Sequence, residues 1–378
     1  MDTEVLVSTG IYGISVGLII AYGFFLFAIR RAFGRLPNAP TSTTHSPTPI
    51  WVSILLPARN EAQQIEQTLR SLLDQHYEDY EIVLIDDHST DETMAIVQTF
   101  TSDHLHILSL PAALSGKKAA LTYGLSYCSG DYILTTDADT WRSADWLTAY
   151  VEAWQTGASL VLAPVRMTGP STVLCAFQQL DVAGTMLLTG AGVSWKHPLL
   201  ANGANMGYPK VVFENLGGYT GNEEQASGDD VFLLQKALAA RISNIRFLPQ
   251  SAAWVTTPAV TSWRALFWQR LRWASKTSAY RDGWLILFQG GVYLLAWSLV
   301  LALLSVFWWP TYWPIVLLIW LGKLMIDAWF LAYACRFFQQ QSALRWLLPV
   351  AVLHTLYIIV IGTLALLPMR GRWKGRRV

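Results

Sequence analysis

Charge is scarce in this chain of 378 residues. Only 14% of its positions are Asp, Glu, Lys or Arg, against about 25% in ordinary soluble proteins. With 53% hydrophobic residues, that scarcity excludes intrinsic disorder and argues against a wholly soluble domain. Neither sign of charge dominates: 27 Lys and Arg face 26 Asp and Glu, a net charge of +1. A global basic field of the kind that draws nucleic acid is therefore missing, and no nucleic-acid partner is expected. Cysteine is nearly absent. Cys128, Cys175 and Cys335 lie far apart, form no C-x-x-C metal pattern and outline no disulfide framework, which fits a reducing compartment. Internal repeats and a P-loop spacing are lacking too. What is abundant is Trp, at 18 residues, most of them after position 250, where crowding of this kind suits a membrane–water interface.

The apolar surplus is concentrated in runs. Val5 to Ile29 carries no charge and is long enough for a bilayer core of about 30 Å. Asp2 and Glu4 stand where a signal peptide would place basic residues, and no A-x-A site comes after it, so residues 1–30 read as a transmembrane helix. Arg30, Arg31 and Arg35 then place the downstream domain in the cytoplasm, by the positive-inside rule. Residues 31–50, with PNAPTSTTHSPTP, read as a linker. Residues 284–369 hold three further runs, Trp284–Trp309, Tyr312–Ala334 and Trp346–Met369, and residues 370–378 form a basic tail expected in the cytoplasm. Three runs conflict with a cytoplasmic tail, which needs an even number of crossings. One run should be re-entrant or interfacial, and Gly290-Gly291 makes the first the candidate. Lys323 and Asp327, four apart in the second run, share a helical face and should pair; a transport pathway is the alternative use of such a pair.

Between these segments the pattern alternates. Short apolar runs at Val52–Leu56, Glu81–Ile85, His104–Ser109 and Asp131–Thr136 alternate with helical spacing over Glu61–Leu73, Glu92–Phe100 and Lys117–Tyr127. This βαβαβαβ order implies an α/β fold with a mostly parallel sheet and helices on both faces. Ligands of such sheets sit beyond the carboxyl ends of the strands. There the chain carries Pro57-Ala-Arg59-Asn60-Glu61, Asp86-Asp87 and Asp137-Ala-Asp139, so three polar clusters converge on one rim.

Each cluster has an ordinary reading as well. Asp137 and Asp139 suit Mg²⁺ or Mn²⁺ shared with a diphosphate, but D-x-D is also a common turn or cap. Asp86–Asp91 could cap the next helix or hold a nucleotide's ring and ribose. Ser115-Gly-Lys117-Lys118 opens a helix, where phosphate is favoured. Gly228-Asp229-Asp230 is an N-cap by itself, and also what a general base for a hydroxyl requires. Residues 262–283 form an amphipathic interfacial segment carrying Gln269-Arg-Leu-Arg272-Trp273.

Taken in order, P-x-x-N-E (57–61), D-D-x-S-x-D (86–91), G-K (116–117), D-x-D (137–139), an acidic pair (229–230) and Q-x-x-R-W (269–273) resemble the membrane-bound family 2 glycosyltransferases of GT-A fold. That group includes polysaccharide synthases and enzymes that glycosylate ceramide or carotenoids. The resemblance covers roughly residues 51–275 and implies a catalytic domain over 51–261. It further implies inverting transfer from a nucleotide-diphosphate sugar, expected to be UDP-linked, at a bacterial inner membrane. On this resemblance Asp230 is the base, and Asp139 with Asp137 holds the metal. Pro57, Arg59, Asn60, Glu61, Asp87, Lys117, Asp137, Gln269, Arg272 and Trp273 bind the nucleotide sugar, with Asp87 on its uracil or ribose side and Trp273 at the acceptor mouth. One departure is the acidic pair, usually E-D and here Asp229-Asp230. Asn202-Gly-Ala-Asn205 and Gly217-Gly-Tyr219 fall where the family shapes its sugar and acceptor pocket, or are plain turns. The ending Trp373-Lys-Gly-Arg376 looks like that of some lipid- and carotenoid-modifying members.

Three functions compete on these grounds. A membrane lipid acceptor is favoured over a processive polysaccharide synthase, because three C-terminal runs with short loops leave little for a channel. A non-catalytic nucleotide-binding partner would be expected to lose the base or the metal acid, and both are present.

Overall fold

Val52–Ala58 (β1) is apolar and buried at nearly every position, as expected of a strand covered on both faces. In the computed structural model, which describes residues 3–37, 49–220, 228–274, 282–367, 372–373 and 376–377, this strand is the axis of the fold. The linker stretch 38–48, most of the segment after the Q-x-x-R-W motif (275–281) and Lys374-Gly375 lie outside the described residues. The chain continues through α2 (Ile65–Leu73), β2 (Tyr80–Asp86), α3 (Thr93–Val97), β3 (Leu105–Ser109), α4 (Lys117–Leu125) and β4 (Tyr132–Thr135). β3, β2, β1 and β4 are neighbours in that order and all parallel, with Ile54 opposite Ile82 on one side and Leu134 on the other. α4 lies directly on this sheet. A Cβ added at Gly124 would stand 2.5 Å from Ile85, so only glycine allows the helix this close.

Then the pattern changes. β5 (Trp141–Arg142), α5 (Trp146–Gln155), β6 (Leu160–Leu162) and β7 (Val165–Thr168) lead into α6 (Val173–Ser194). β8 (Met206–Pro209), α7 (Lys210–Asn215), α8 (Asp229–Ala239), β9 (Ile245–Phe247), β10 (Val255–Pro258) and α9 (Trp263–Ala274) come next. The sheet extends as β4-β8-β6-β9, with β8 antiparallel to both its neighbours. The sheet is thus mostly rather than wholly parallel: a reversed strand needs no crossover helix over the sheet, and the helix before β8 is employed elsewhere. β5, β10 and β7 form a second small sheet.

That helix, α6, did not stand out in the sequence as a separate apolar element. It is long and apolar enough to cross a membrane, yet 67% of its apolar window is buried inside the protein, against 22–33% for the other four such helices. Its residues meet the α/β domain on one side (Val165 N–H to Met186 Sδ, 3.4 Å) and membrane helices on the other, where Gly184 faces Phe330 and Gly190 faces Phe33. α6 is the joint between the two halves.

The remaining helices are α1 (Thr3–Phe33), α10 (Gly283–Ser305), α11 (Trp313–Phe337) and α12 (Leu347–Ala365). α1 and α10 run antiparallel: Phe25 stacks on Phe288 at 4.3 Å between ring centroids, and Tyr12 Oη lies 2.9 Å from Ser305 Oγ. α1 and α11 run parallel, paired by Tyr12–Tyr312 at one end and Phe33–Phe337 at the other. Midway, Lys323 and Asp327 pair as expected, both almost fully buried, and Tyr22 donates to Asp327 at 2.9 Å. The pair therefore stitches α11 to α1, since removing either charge would strand the other in an apolar bundle.

The first and third C-terminal runs pack differently. α10 runs unbroken through Gly290-Gly291 as one helix. α12 instead starts beside the α/β domain, where Gln340 donates to the Met167 carbonyl. It then packs along α6 and α9, with His354 Nε2 3.5 Å from Asp181 and Tyr357 against Phe177. Beyond it, the two-stranded pair of β11 (Arg372–Trp373) and β12 (Arg376–Arg377) brings β11 against α9. The second half of α12 joins the membrane helices as well, with Thr363 Oγ1 2.7 Å from Tyr293 Oη of α10. The five long apolar helices make this a membrane-associated protein.

Candidate active site

The site is built from loops at the carboxyl ends of β1, β2 and β4, closed from below by α6 and α9. After β1, Arg59 turns onto the β2 loop: its Nη1 donates to the Asp87 and His88 carbonyls and lies 3.9 Å from the Asp87 carboxylate. Asp87, 2% exposed, also accepts the Gly116 N–H at 3.0 Å. Gly116, at φ 95°, makes the turn that starts α4. One carboxylate so joins three loops. Asn60 belongs to the same lock rather than to the cleft wall. It takes a left-handed φ of 51°, its Oδ1 accepts the Thr90 N–H at 2.8 Å, and its own N–H reaches Ser89 Oγ.

Beyond β4, Asp137-Ala-Asp139 is a turn, as its ordinary reading has it, and it also faces the cleft. Thr140 Oγ1 donates to the Asp137 carbonyl at 2.6 Å, and Thr68 Oγ1 donates to Ala138 O at 2.9 Å. Lys117 Nζ lies 2.6 Å from Asp137 Oδ1. Arg142 supports the turn from behind, donating to Thr140 O and Oγ1 and resting on the Trp146 ring. Burial pulls its guanidinium down to about 9, with Tyr150 and Asp137 opposing the shift, so it remains a cation at neutral pH.

Asp230 arrives at the start of α8, after Gly228 in the left-handed region (φ 98°). Its Oδ1 accepts the Val231 N–H at 2.8 Å and its Oδ2 the Gly203 N–H at 3.1 Å. Gly203 sits in the Asn202–Asn205 loop, which Thr136 Oγ1 ties to the D-x-D turn through Ala204 O. Asn205 anchors that loop from inside, accepting from Trp146 and Tyr150 and donating to Pro164 O and Ala253 O. The loop therefore sets Asp230 relative to Asp137 and Asp139. Gly217 and Gly218, in contrast, are turn residues with positive φ and do not line the cleft.

On α9, Gln269, Arg272 and Trp273 stand at i, i+3 and i+4 and so share one face, which lines the cleft. Arg270 points elsewhere. It is buried, pairs with Asp181 of α6 at 2.6 Å and lies 4.4 Å over the Trp273 ring. With His354 on the other Asp181 oxygen, this cluster fastens α9 and α12 to α6. Sequence reasoning missed it, although a lone Asp in an apolar stretch of helical length is a signal of its kind.

The result is one cleft of about 610 Å³. Pro57, Arg59, Glu61, Asp87, Lys117, Asp137, Asp139, Asp230, Gln269, Arg272 and Trp273 all line it, drawn from positions up to 216 apart; of the expected residues only Asn60 is turned away. Thr185, Met186 and Thr189 of α6 complete the floor. Five carboxylates (Glu61, Asp87, Asp137, Asp139, Asp230) face three cations (Arg59, Lys117, Arg272), so the cleft is electronegative before any phosphate enters. The side chain of Asp229 lies outside what the structure describes.

Residues 53–216 match the family model described as Glycosyl transferase family 2. This stretch is a family 2 glycosyl transferase domain. The chain's curated relatives include the probable glycosyltransferase YdaM of Bacillus subtilis, 29% identical over 247 residues, which cover 59% of this chain and 54% of YdaM. They also include the poly-beta-1,6-N-acetyl-D-glucosamine synthase of Staphylococcus aureus, 26% identical, with 67% of this chain and 60% of that one covered. The chain thus spans a little over half the length of these family 2 relatives. Among solved structures, the mannosyltransferase PcManGT from Pyrobaculum calidifontis, in complex with GDP-Man and Mn²⁺, superposes with a TM-score of 0.58 at 19% identity, over 92% of this chain and 99% of that one. That likeness supports the GT-A fold.

Proposed function

We propose that the protein transfers a sugar, with inversion, from a nucleotide-diphosphate sugar to a hydroxyl of a membrane lipid. The observation that carries this reading is the convergence of Asp230, the D-x-D turn and the Gln269–Arg272–Trp273 face on one cleft whose floor is α6, the joint to the membrane helices. Asp230, held by two backbone N–H groups, accepts the proton of the acceptor hydroxyl. The hydroxyl oxygen then attacks the anomeric carbon, the bond to the diphosphate oxygen breaks, and the nucleoside diphosphate leaves. Arg272 and Lys117 hold phosphate oxygens, and Asp87 holds the nucleoside side. Two carboxylates in one turn are hard oxygen donors suited to Mg²⁺ or Mn²⁺, with phosphate and water completing the shell. Such an ion, when bound, neutralises charge on the leaving diphosphate. The fold neighbour solved with GDP-Man and Mn²⁺ is consistent with this assignment.

The names of several relatives favour a second reading, a polysaccharide synthase. The polar groups of the α1–α10–α11 bundle favour the first reading: Tyr12 with Ser305, and Lys323 with Asp327 and Tyr22, are paired with one another and not offered to a passing sugar chain. The two readings separate on supplying membranes that contain the protein with radiolabelled UDP-glucose, UDP-N-acetylglucosamine or GDP-mannose. Label is expected in a butanol-extractable product. Label in an ethanol-precipitable polymer would establish the synthase instead, and no transfer from any donor would overturn both.

Arg30, Arg31 and Arg35 at the end of α1 support a cytoplasmic catalytic domain, the side on which nucleotide sugars are made. Alkaline phosphatase fused after Arg35, active only in the periplasm, is expected to stay silent. A bright fusion would reverse the orientation.

A further inference from the structure

A second cavity, of about 750 Å³, lies below the cleft, bordered by α1, α6, α9, α10, α11 and α12 and open at one side where Ile286 and Leu366 are exposed. It is larger than the cleft and more apolar, walled chiefly by side chains such as Leu26, Leu180, Leu285, Val350 and Ile361. Its size is that of a ligand site, not of a packing defect. Thr185, Leu200 and Trp273 line both spaces, so the two share a wall at the point where Trp273 stands. Arg270, Asp181 and His354 pair at this boundary, and Asp327 of the α11 wall pairs with Lys323.

We infer that this cavity seats the hydrocarbon chain of the acceptor, a membrane lipid bearing a terminal hydroxyl, and that the chain passes Trp273 to present that hydroxyl to Asp230. The inference rests on the proposed lipid acceptor and names where the lipid is held. Three observations support it. The apolar walls match a hydrocarbon and would leave a sugar polymer's hydroxyls unpaired, at a cost for each. The wall shared with the polar cleft calls for a molecule with one apolar body and one polar end. And four of the bordering helices, α1, α10, α11 and α12, are long, apolar and largely uncovered by protein, which places the cavity beside the bilayer that supplies such molecules.

Two adjacent glycines on α10 provide the test. Gly290 lines the cavity and Gly291 does not, and a Cβ added at either meets nothing within 4 Å. Successive residues on a helix point about 100° apart. A tryptophan at 290 therefore fills the cavity, whereas one at 291 projects away from it. The full-length protein in lipid nanodiscs is irradiated with hexadecanol carrying a mid-chain diazirine, and the crosslinked peptides are mapped by mass spectrometry. In the wild type, label is expected on buried cavity residues of α10 and α12 such as Leu285 and Ile361. Gly290→Trp should remove it, Gly291→Trp should retain it, and Gly290→Leu should reduce it in part. Transfer to the butanol-extractable product should fall in parallel, about tenfold for every two methylenes displaced, with donor binding by calorimetry unchanged; that binding also reports that each variant is folded. Equal labelling of Gly290→Trp and wild type, or label spread over the outer faces of α10 and α12, would overturn the inference. Were the wild type to make polymer or no product, the lipid-acceptor reading would fall by itself, while the crosslink map would still decide whether the cavity takes a hydrocarbon.

Discussion

Asp230→Asn is expected to cut sugar transfer by about 10²–10⁴, the usual cost of removing a general base, while leaving donor binding nearly intact. The carboxylate is aimed by its neighbours. Val231 N–H binds Oδ1 and Gly203 N–H binds Oδ2, so both oxygens are oriented by backbone that is itself tied to the D-x-D turn. An asparagine keeps the shape but can accept only one of these bonds with its single oxygen, and its amide does not take a proton from a hydroxyl. The donor is held by other residues, namely Asp87, Lys117 and Arg272, so its affinity should change little. Asp229 is the acid next to it in the motif and the natural candidate to substitute. About 100° separates successive residues at a helix start, so Asp229→Asn should cost far less. Calorimetric donor binding set beside turnover distinguishes the two. A dead Asp229→Asn with an active Asp230→Asn would show the motif assignment to be off by one, and two active variants would remove the proposed mechanism.

The second large effect concerns the divalent ion. EDTA is expected to abolish turnover, with Mg²⁺ or Mn²⁺ restoring it; full activity in chelator would sink the metal role. The reason is electrostatic. A cleft with five carboxylates and three cations must accept a diphosphate, and without a further cation that meeting is repulsive. Lys117 makes the prediction more specific because it has two opposing parts. It lies 2.6 Å from Asp137 and so competes with a metal for that carboxylate, yet it also offers charge to phosphate. Lys117→Met should therefore tighten Mn²⁺ binding, read by electron paramagnetic resonance, and weaken the donor. Each shift should be about tenfold, the scale of one charge-assisted hydrogen bond. If Mn²⁺ binding weakened with the donor, Lys117 would be a partner of the metal site and not its rival.

The local half of the structure was legible in the sequence alone. Strand–helix alternation is a short-range periodicity, and the polar clusters come directly after the strands, so their convergence on one rim could be read without coordinates. The pairing of Lys323 with Asp327 was legible for the same reason, since four residues is one helical turn. The tertiary structure alone decided matters that depend on partners distant in the chain. Asn60 turns from the cleft because Ser89 and Thr90, thirty residues on, take up its polar groups. α6 did not stand out from the α/β block in the sequence, and its role as a joint shows only once the sheet and the membrane helices are seen to cover it from both sides. The start of α12 is held at the α/β domain by Gln340, and β11 beyond it packs on α9, contacts between residues far apart in the chain. Hydrophobic pattern determines that a helix is buried or spans. What it lies against is settled by long-range packing, which sequence spacing does not encode.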